Sequence, residues 1–195
     1  MEIEVLVKPC GDYYTNCYII DRKIIIDPGV GAYDFVKKYA KNPLAIINTH
    51  GHFDHVWDNQ KIKEEFSIPV YIHKNDAFML ENDPFGYNLP PSKADILLDE
   101  GEIEIDGYSF TIRHFPGHTP GSITIEIEDV MFSGDFVFDG SIGRVDFPYS
   151  DSNKMKESII KFLSIPYDKK VLPGHGPMTT IKKIQKFLPS WLEYL

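Results

Sequence analysis

The stretch that decides the fold is THGHFDH, residues 49–55, which follows directly on an apolar segment that predicts a buried strand. In extended backbone, residues two apart point to the same side, so His50 and His52 can both reach one metal ion. Asp54 and His55 come where a helix would begin and can turn toward a second ion beside the first. Imidazole and carboxylate ligands together suit zinc, iron or manganese and do not suit calcium.

Three more candidate ligands share one sequence context, a glycine-containing turn at the end of a predicted strand. They are His118 in Pro116-Gly117-His118, Asp135 in Ser133-Gly134-Asp135, and His175 in Pro173-Gly174-His175. Glycine lets the backbone bend sharply, which aims the following side chain off the edge of a sheet. With the histidines of residues 49–55, these turns hold five of the chain's seven histidines. The pattern predicts one metal centre built from four strand ends.

A single His-x-His pair is weak evidence, because surface loops carry such pairs by chance. We interpret the two remaining histidines in that way: His73 is predicted to begin a helix, and His114 to end a strand with at most an indirect role at the site. The shared turn context of the other ligands favours a metal centre over chance.

The composition of the 195-residue chain fits one folded domain, predicted over residues 1–195, with 43% hydrophobic and 13% aromatic residues. A formal net charge of -9 argues against a nucleic-acid partner, because phosphate contacts need clustered Lys and Arg. No secretory signal and no apolar run long enough to span a bilayer is visible. The two cysteines lack a C-x-x-C spacing, which favours reduced thiols and a cytoplasmic location, with Cys17 as a buried apolar residue.

Strand and helix patterns alternate along the chain and predict a mixed α and β fold. Strands are predicted at 2–8, 14–20, 23–26, 44–48, 70–72, 103–105, 108–114, 122–128, 130–133 and 169–172. Helices are predicted at 31–41, 57–66 and 152–163, and in a final region with an apolar stripe that Pro189 is expected to break or kink. Residues 82–95 are predicted to be a long, proline-rich loop.

The motifs resemble those of the metallo-β-lactamase superfamily, whose H-x-H-x-D-H motif stands here at His50 to His55. Further similarities are Asn16-Cys17-Tyr18, Ile26-Asp27-Pro28-Gly29, PGHTPGS around His118, SGD at Asp135 and LPGHGPMTT around His175. Within the superfamily, GSIGRVDFP (140–148) and PGHGPMTT (173–180) are particularly similar to the short, single-domain glyoxalase II-like hydrolases.

This resemblance implies an α/β fold arranged as a four-layer αββα sandwich with two metal ions at one edge of the paired sheets. It implies that His50, His52 and His118 bind one ion, and that Asp54, His55 and His175 bind the other. Asp135 and a water or hydroxide would bridge them. Zinc is the first expectation for both ions, with iron or manganese as alternatives.

The function we predict is hydrolysis of a thioester, or of a related small ester, with Asp54 and Asp135 as the catalytic residues and a small molecule as the substrate. The alternative from another class is an iron-dependent persulfide dioxygenase, for which His50, His118 and Asp135 would form the site. A lactonase or another metallo-hydrolase ranks lower. So do β-lactamases, which in this superfamily generally have Cys or Ser at the place of Asp135, and nucleases.

Two features of the sequence are open to more than one interpretation. Arg144 could contact Asp135 or a substrate anion, although a buried structural ion pair explains it better. The loop at 82–95, with Phe85, Tyr87 and Leu89, could form one wall of a pocket or a small hydrophobic cluster.

Overall fold

Two six-stranded mixed sheets form the framework of the computed structural model, which describes residues 2–195. The first sheet has the order β1-β2-β3-β4-β5-β6, and the second has the order β12-β11-β10-β9-β8-β7. The strands of the first sheet are Val5–Cys10, Thr15–Ile20, Ile24–Ile26, Ala45–Ile47, Val70–His73 and Ile96–Leu98 (β1 to β6). Those of the second are Gly101–Ile105, Tyr108–His114, Ile123–Ile127, Val130–Gly134, Lys170–Pro173 and Thr179–Thr180 (β7 to β12).

The central strands of the first sheet are apolar at every position because both of their faces are covered. β3, β4, β5 and β6 run parallel, and β3 and β4 read III and AII. Successive side chains alternate between faces. Ile25 and Ile46 therefore pack with the helices outside the sheet, whereas Ile24, Ile26 and Ile47 pack against the second sheet.

Helices cover the outer face of each sheet. They are Tyr33–Tyr39, Phe53–Val56, Asn59–Phe66, Ala77–Asn82, Ser152–Leu163 and Ile181–Trp191 (α1 to α6). Val36 of α1 and Ile62 of α3 are fully buried in the outer core of the first sheet. The buried faces of α5 and α6 pack over Met131 and Val171 of the second sheet. The resulting order is helices, sheet, sheet, helices, and the predicted αββα sandwich is confirmed.

The two long helices that cover the second sheet, α5 and α6, begin where the sequence supplies a capping side chain. Asp151 accepts hydrogen bonds from the backbone N–H groups of Asn153 and Lys154 at the start of α5. Thr180 caps α6 in the same way by accepting from the backbone of Lys183. The described helices are short, α5 with its 12 residues being the longest, and none has the length and apolar character needed to cross a bilayer.

Some predicted details are wrong. Pro189 does not break the last helix, since α6 continues to Trp191. Pro189 lies in the last turn, where it removes only one backbone hydrogen bond of the helix, and the Ser190 hydroxyl donates to the carbonyl of Phe187. His73 does not begin a helix: it is the last residue of β5 and is fully buried. The short strands β6 and β12 were not predicted.

Candidate metal centre

Four turns that follow strand ends meet at one place, as the sequence predicts. His50 and His52 follow β4, and Asp54 and His55 lie in α2 directly after them. The three remaining predicted ligands follow strands of the second sheet: His118 comes after β8, Asp135 after β10 and His175 after β11. The cluster therefore draws its side chains from both sheets of the sandwich.

Within the cluster, the side chains form two groups of three. The potential ligand atoms of His50, His52 and His118 all lie within 4.8 Å of one another. Those of Asp54, His55 and His175 do so as well.

Asp135 lies between the two groups. Its carboxylate oxygens are 3.5 Å from Nε2 of His118, 3.2 Å from Nε2 of His55 and 3.3 Å from Nε2 of His175. One carboxylate thus contacts a member of each group, and all seven side chains that the sequence singles out are brought together.

Buried polar atoms that lack a hydrogen-bond partner indicate whether these residues could bind a metal ion. Among the described residues, the buried side-chain atoms without a hydrogen-bond partner include Nε2 of His50, His52, His55 and His118, and Oδ1 of Asp135. Leaving such groups unpaired costs free energy unless another partner satisfies them. Five of these atoms converging on one space is the arrangement expected of ligands to a cation.

The spacing of the atoms agrees with shared ions. Two ligands about 2.1 Å from a tetrahedral ion are about 3.4 Å apart. Nε2 of His55 and Oδ2 of Asp54 are 3.4 Å apart, and Nε2 of His175 and Oδ2 of Asp54 are 3.3 Å apart. Nitrogen and carboxylate oxygen donors suit zinc and iron alike, so the donor set fits a divalent transition metal without selecting one.

In four of the five histidines, His50, His55, His118 and His175, the other ring nitrogen contacts a neighbouring polar atom. Nδ1 of His118 donates to the carbonyl of Arg144 at 2.7 Å, and Nδ1 of His175 donates to the carbonyl of Tyr13 at 2.9 Å. Carbonyl oxygens only accept, so these bonds place the proton on Nδ1 and leave the lone pair of Nε2 for a ligand bond.

Asp27 is a residue of the site to which the sequence analysis assigns no role, although Ile26-Asp27-Pro28-Gly29 is one of the stretches that resemble the family. Its side chain is buried, and Oδ2 lies 3.0 Å from Nδ1 of His55. It also accepts hydrogen bonds from the backbone and the hydroxyl of Thr49. Although Asp27 lies within ligand distance of His50 and His55, its oxygens are already used by three donors. We therefore infer that Asp27 orients the ring of His55 and does not itself bind a metal ion. The signal in the sequence was an aspartate directly after three buried isoleucines.

Asp76 is a second buried carboxylate that the sequence did not reveal. It accepts from the backbone of Gly51 at 2.9 Å, the hydroxyl of Thr119 at 2.7 Å and the backbone of Gly121 at 2.5 Å. These bonds connect the turn that holds His50 and His52 to the turn that holds His118. Burial raises the pKa of Asp76 to about 6, although all three hydrogen bonds oppose that shift.

The two halves of the cluster differ in their electrostatics. Burial lowers the pKa of His50 and His118, and it lowers that of His52 to about 3, so these rings are neutral. Burial also disfavours protonated His55 and His175, but the carboxylates of Asp135 and Asp54 outweigh it. They raise the pKa of His175 to about 9 and that of His55 well above its usual range. Without a metal, the carboxylates of Asp54 and Asp135 favour the protonated forms of His55 and His175. A metal cation on that side would take the place of those protons.

Gly174 shows how closely the backbone approaches the cluster. A β-carbon at this position would overlap Oδ1 of Asp135 and lie 2.6 Å from Cε1 of His55. Only glycine leaves room for both side chains, which explains why glycine directly precedes His175.

A cavity of about 510 Å³ opens onto the cluster. Its floor includes His52, Asp54, His118, Asp135 and His175. Its walls are formed by Tyr13, Phe53, Phe85, Tyr87, Phe138, Ile142, Gly143, Arg144 and Phe147. The predicted wall role of the 82–95 loop is therefore found for Phe85 and Tyr87, whereas Leu89 is buried in the outer core of the first sheet.

Arg144, His73 and His114 do not join the cluster of ligands. The Arg144 side chain pairs with Asp146 at 2.6 Å, and because both side chains are more than half exposed, the expected buried ion pair is wrong. His73 and His114 instead stack on each other with ring centroids 4.1 Å apart. His114 also contacts the carbonyl of Pro120 through Nε2 at 2.8 Å.

Comparison with known proteins agrees with the motifs and the fold. The sequence pattern of the Metallo-beta-lactamase superfamily matches residues 10–175. The chain is 37% identical to the hydroxyacylglutathione hydrolase GloC of Haemophilus influenzae over 97% of this chain and 99% of that protein. It is 33% identical to the probable metallo-hydrolase YqgX of Bacillus subtilis over 89% and 90% of the two chains.

Solved structures give the same result. The crystal structure of the BLEG-1 B3 metallo-beta-lactamase has a TM-score of 0.86 and 36% identity, with 97% of this chain and 99% of that chain covered. The structure of TTHA1623 in a di-iron-bound form has a TM-score of 0.83 and 32% identity, with 95% and 99% covered.

Proposed function

From the premise that the chain belongs to the metallo-β-lactamase superfamily, we propose that it is a metal-dependent hydrolase that cleaves a thioester or a related small ester. The observation that carries this proposal is the convergence of five buried, unpartnered ligand atoms beside an open cavity, which three of their residues, His52, His118 and Asp135, line directly. The name of the GloC relative, a hydroxyacylglutathione hydrolase, supports the thioester.

In this proposal, His50, His52 and His118 hold one ion, and Asp54, His55 and His175 hold the second, with Asp135 reaching both. When bound, divalent ions supply an activated water at neutral pH and polarise the carbonyl of the substrate. The di-iron state of TTHA1623 supports iron as an alternative to zinc.

Asp54 is the residue of the chain best placed to orient the attacking water. Its Oδ2 accepts a hydrogen bond from the hydroxyl of Thr15 at 2.7 Å, and it lines the cavity. Burial works against its ionised form, but His55 and His175 lower its pKa to about 2. As an ionised carboxylate, Asp54 can accept a hydrogen bond from the attacking water and align it.

A thioester suits this cavity because its leaving group needs little help. Among the described residues, no carboxyl or imidazole group lines the cavity apart from the proposed ligands, so none is free to act as a general acid. A thiolate has a far lower proton affinity than an alkoxide, so it can depart without a general acid.

The test is hydrolysis of S-lactoylglutathione and of a small uncharged thioester by protein loaded separately with zinc, manganese and iron. We expect turnover with at least one metal and its loss in Asp135→Ala, because both proposed ions lose a shared ligand. Asp129→Ala is the matched control, since Asp129 is exposed and pairs with Lys170. A wild-type rate in Asp135→Ala, or no turnover of any thioester, would contradict the proposal.

Hydrolysis of a β-lactam is the second candidate, because a protein of 36% identity carries the name of a B3 metallo-beta-lactamase. The same metal-loaded preparations are assayed with a chromogenic cephalosporin. The predicted dioxygenase alternative is assayed as oxygen uptake by the iron-loaded protein with glutathione persulfide. Either activity, in the absence of thioester turnover, would replace the proposed function.

A further inference from the structure

One side of the cavity is formed by four aromatic side chains, Tyr13, Phe53, Phe85 and Tyr87, which we call the aromatic wall. The rings of Tyr13 and Phe53 meet edge to face with centroids 5.5 Å apart. Those of Phe53 and Tyr87 are 4.2 Å apart, and those of Phe85 and Tyr87 are 6.3 Å apart. The wall is therefore a continuous apolar surface without a charged group.

The aromatic wall leaves much of its surface in water. Tyr13 is 59% exposed and Tyr87 is 49% exposed. Contiguous exposed apolar surface is unfavourable for a soluble protein unless something covers it during function. The wall also touches the metal centre, since the rings of Phe85 and His52 are 5.2 Å apart. A group that covers the wall therefore lies beside the scissile bond.

The rest of the cavity lining includes Phe138, Ile142 and Phe147, together with Arg144. Arg144 is the one cationic side chain among the described residues that line the cavity, apart from the histidines. It already makes two hydrogen bonds to the carboxylate of Asp146, and its guanidinium lies 4.3 Å from the ring centroid of Phe147. Apart from the proposed metal ions, the cavity thus offers an anionic substrate one cationic side chain that is already paired, and the chain as a whole has a net charge of -9.

We propose that the leaving thiol of the substrate carries an aromatic or branched apolar group close to the scissile bond, that this group lies on the aromatic wall, and that glutathione is a poor carrier for this site. The inference rests on the proposed thioester or ester hydrolysis. In that reaction, water adds across the carbon–sulfur bond, the acyl carbon takes the hydroxyl, and the sulfur takes the proton. Glutathione brings two carboxylates and one ammonium group, and the walls present to those carboxylates one cationic side chain that is already paired.

The test compares three thioesters of one acyl group, with phenylmethanethiol, ethanethiol or glutathione as the leaving thiol. Each enzymatic kcat/KM is divided by the rate of the same thioester with hydroxide, which removes differences in intrinsic reactivity. We expect the benzyl thioester to be favoured about tenfold or more over the ethyl and glutathione thioesters, because its ring is buried on the wall. Tyr87→Ala should lower the benzyl-to-ethyl ratio several-fold. Tyr194→Ala, a tyrosine that is 81% exposed and does not line the cavity, should leave the ratio unchanged.

A second readout does not depend on turnover. Calorimetry measures the binding of 4-phenylbutyrate and of butyrate to the metal-loaded wild type and to both variants. We expect the phenyl compound to bind at least about tenfold more tightly, with the difference reduced in Tyr87→Ala.

The outcomes separate this inference from the proposed function. If thioesters are cleaved but the three corrected rates are equal, or glutathione is preferred, the inference is wrong and thioester hydrolysis stands. If no thioester is cleaved but binding depends on the phenyl group and on Tyr87, the proposed reaction is wrong and the apolar specificity stands. Equal binding of the two carboxylates would overturn the inference.

Discussion

Nδ1 of His55 lies 3.0 Å from Oδ2 of Asp27, and both side chains are almost completely buried. The two residues are 28 positions apart. Asp27 directly follows the buried strand β3, and His55 lies in α2, so a residue at the end of a neighbouring strand orients the ring of a proposed ligand. Asp27 also accepts two hydrogen bonds from Thr49, which fixes the carboxylate in turn.

Replacing Asp27 by asparagine should weaken metal binding by about 10- to 100-fold. The donors of Thr49 and His55 now bind two carboxylate oxygens, whereas an amide offers only one acceptor oxygen. Either His55 or Thr49 therefore loses its partner. Competition with a chromogenic chelator measures the affinity for zinc, and Asp129→Asn serves as the exposed control. An unchanged affinity would mean that the backbone alone positions His55.

Asp76 should make the stability of the metal-free protein fall as the pH rises from about 4 to about 6. Burial raises its pKa to about 6 from the ordinary value of 3.8, so the folded protein binds this proton more tightly than the unfolded chain does. The stabilisation is complete below the unfolded pKa and is lost as the pH rises through the folded one. The change amounts to about 2 kcal/mol.

Denaturant unfolding of the wild type and of Asp76→Asn, at pH 4.5 and 6.5, isolates this contribution. The wild type should lose more stability between the two pH values than the variant does, whatever the other titrating groups contribute. Parallel pH dependence in the two proteins would show that Asp76 keeps an ordinary pKa.

Gly174→Ala should reduce metal binding and remove most hydrolysis. The added methyl overlaps the carboxylate of Asp135 and crowds the ring of His55, so at least one of them must move. Overpacking of this kind costs about 1–3 kcal/mol. Metal content by elemental analysis, together with turnover, measures the effect.

Gly107→Ala is the control for that substitution. Gly107 has a φ of +85° and open space around a built β-carbon, so alanine there adds backbone strain without overlap. It should lower stability while the metal content stays that of the wild type. Equal loss of metal in both variants would attribute the effect to reduced stability.

Neither cysteine should react with iodoacetamide in the folded protein at pH 8. Cys17 is fully buried and Cys10 is 4% exposed, and burial raises the pKa of both thiols. Intact mass should show no adduct in the native state and two adducts in denaturant. Rapid single alkylation of the native protein would show that the first two strands separate readily.

Much of the site could be predicted because its information is local. The proposed ligands lie in the turns that follow four strands or, for Asp54 and His55, in the short helix directly after one of them. Glycine-containing turns mark where the backbone bends, so His118, Asp135 and His175 are recognisable from a few neighbouring residues. The roles of Asp27 and Asp76 could not be predicted in this way. Their partners lie 22 to 45 residues away, and nothing in the local periodicity of a strand records which distant donor a buried carboxylate will meet.

In the fold, too, the features that depend on local sequence could be predicted and those that depend on distant contacts could not. The apolar runs of β3 and β4 predict buried strands correctly, whereas β6 and β12 have only three and two residues and depend on pairing with β5 and β11. Aromatic residues far apart in sequence, such as Tyr13 and Phe85, meet in the cavity only through the fold. That residues 1–195 fold as one independent domain stays a prediction.

The clustering of His50, His52, Asp54 and His55 within six consecutive positions also affects the unfolded chain. These four side chains stay close together after every long-range contact is lost, so a denatured chain retains more than half of the proposed ligands in one short peptide. Any affinity of this peptide for zinc subtracts from the stabilisation that the folded site gains from the ion. Thermal midpoints in the presence of metal will therefore understate how tightly the native centre holds it.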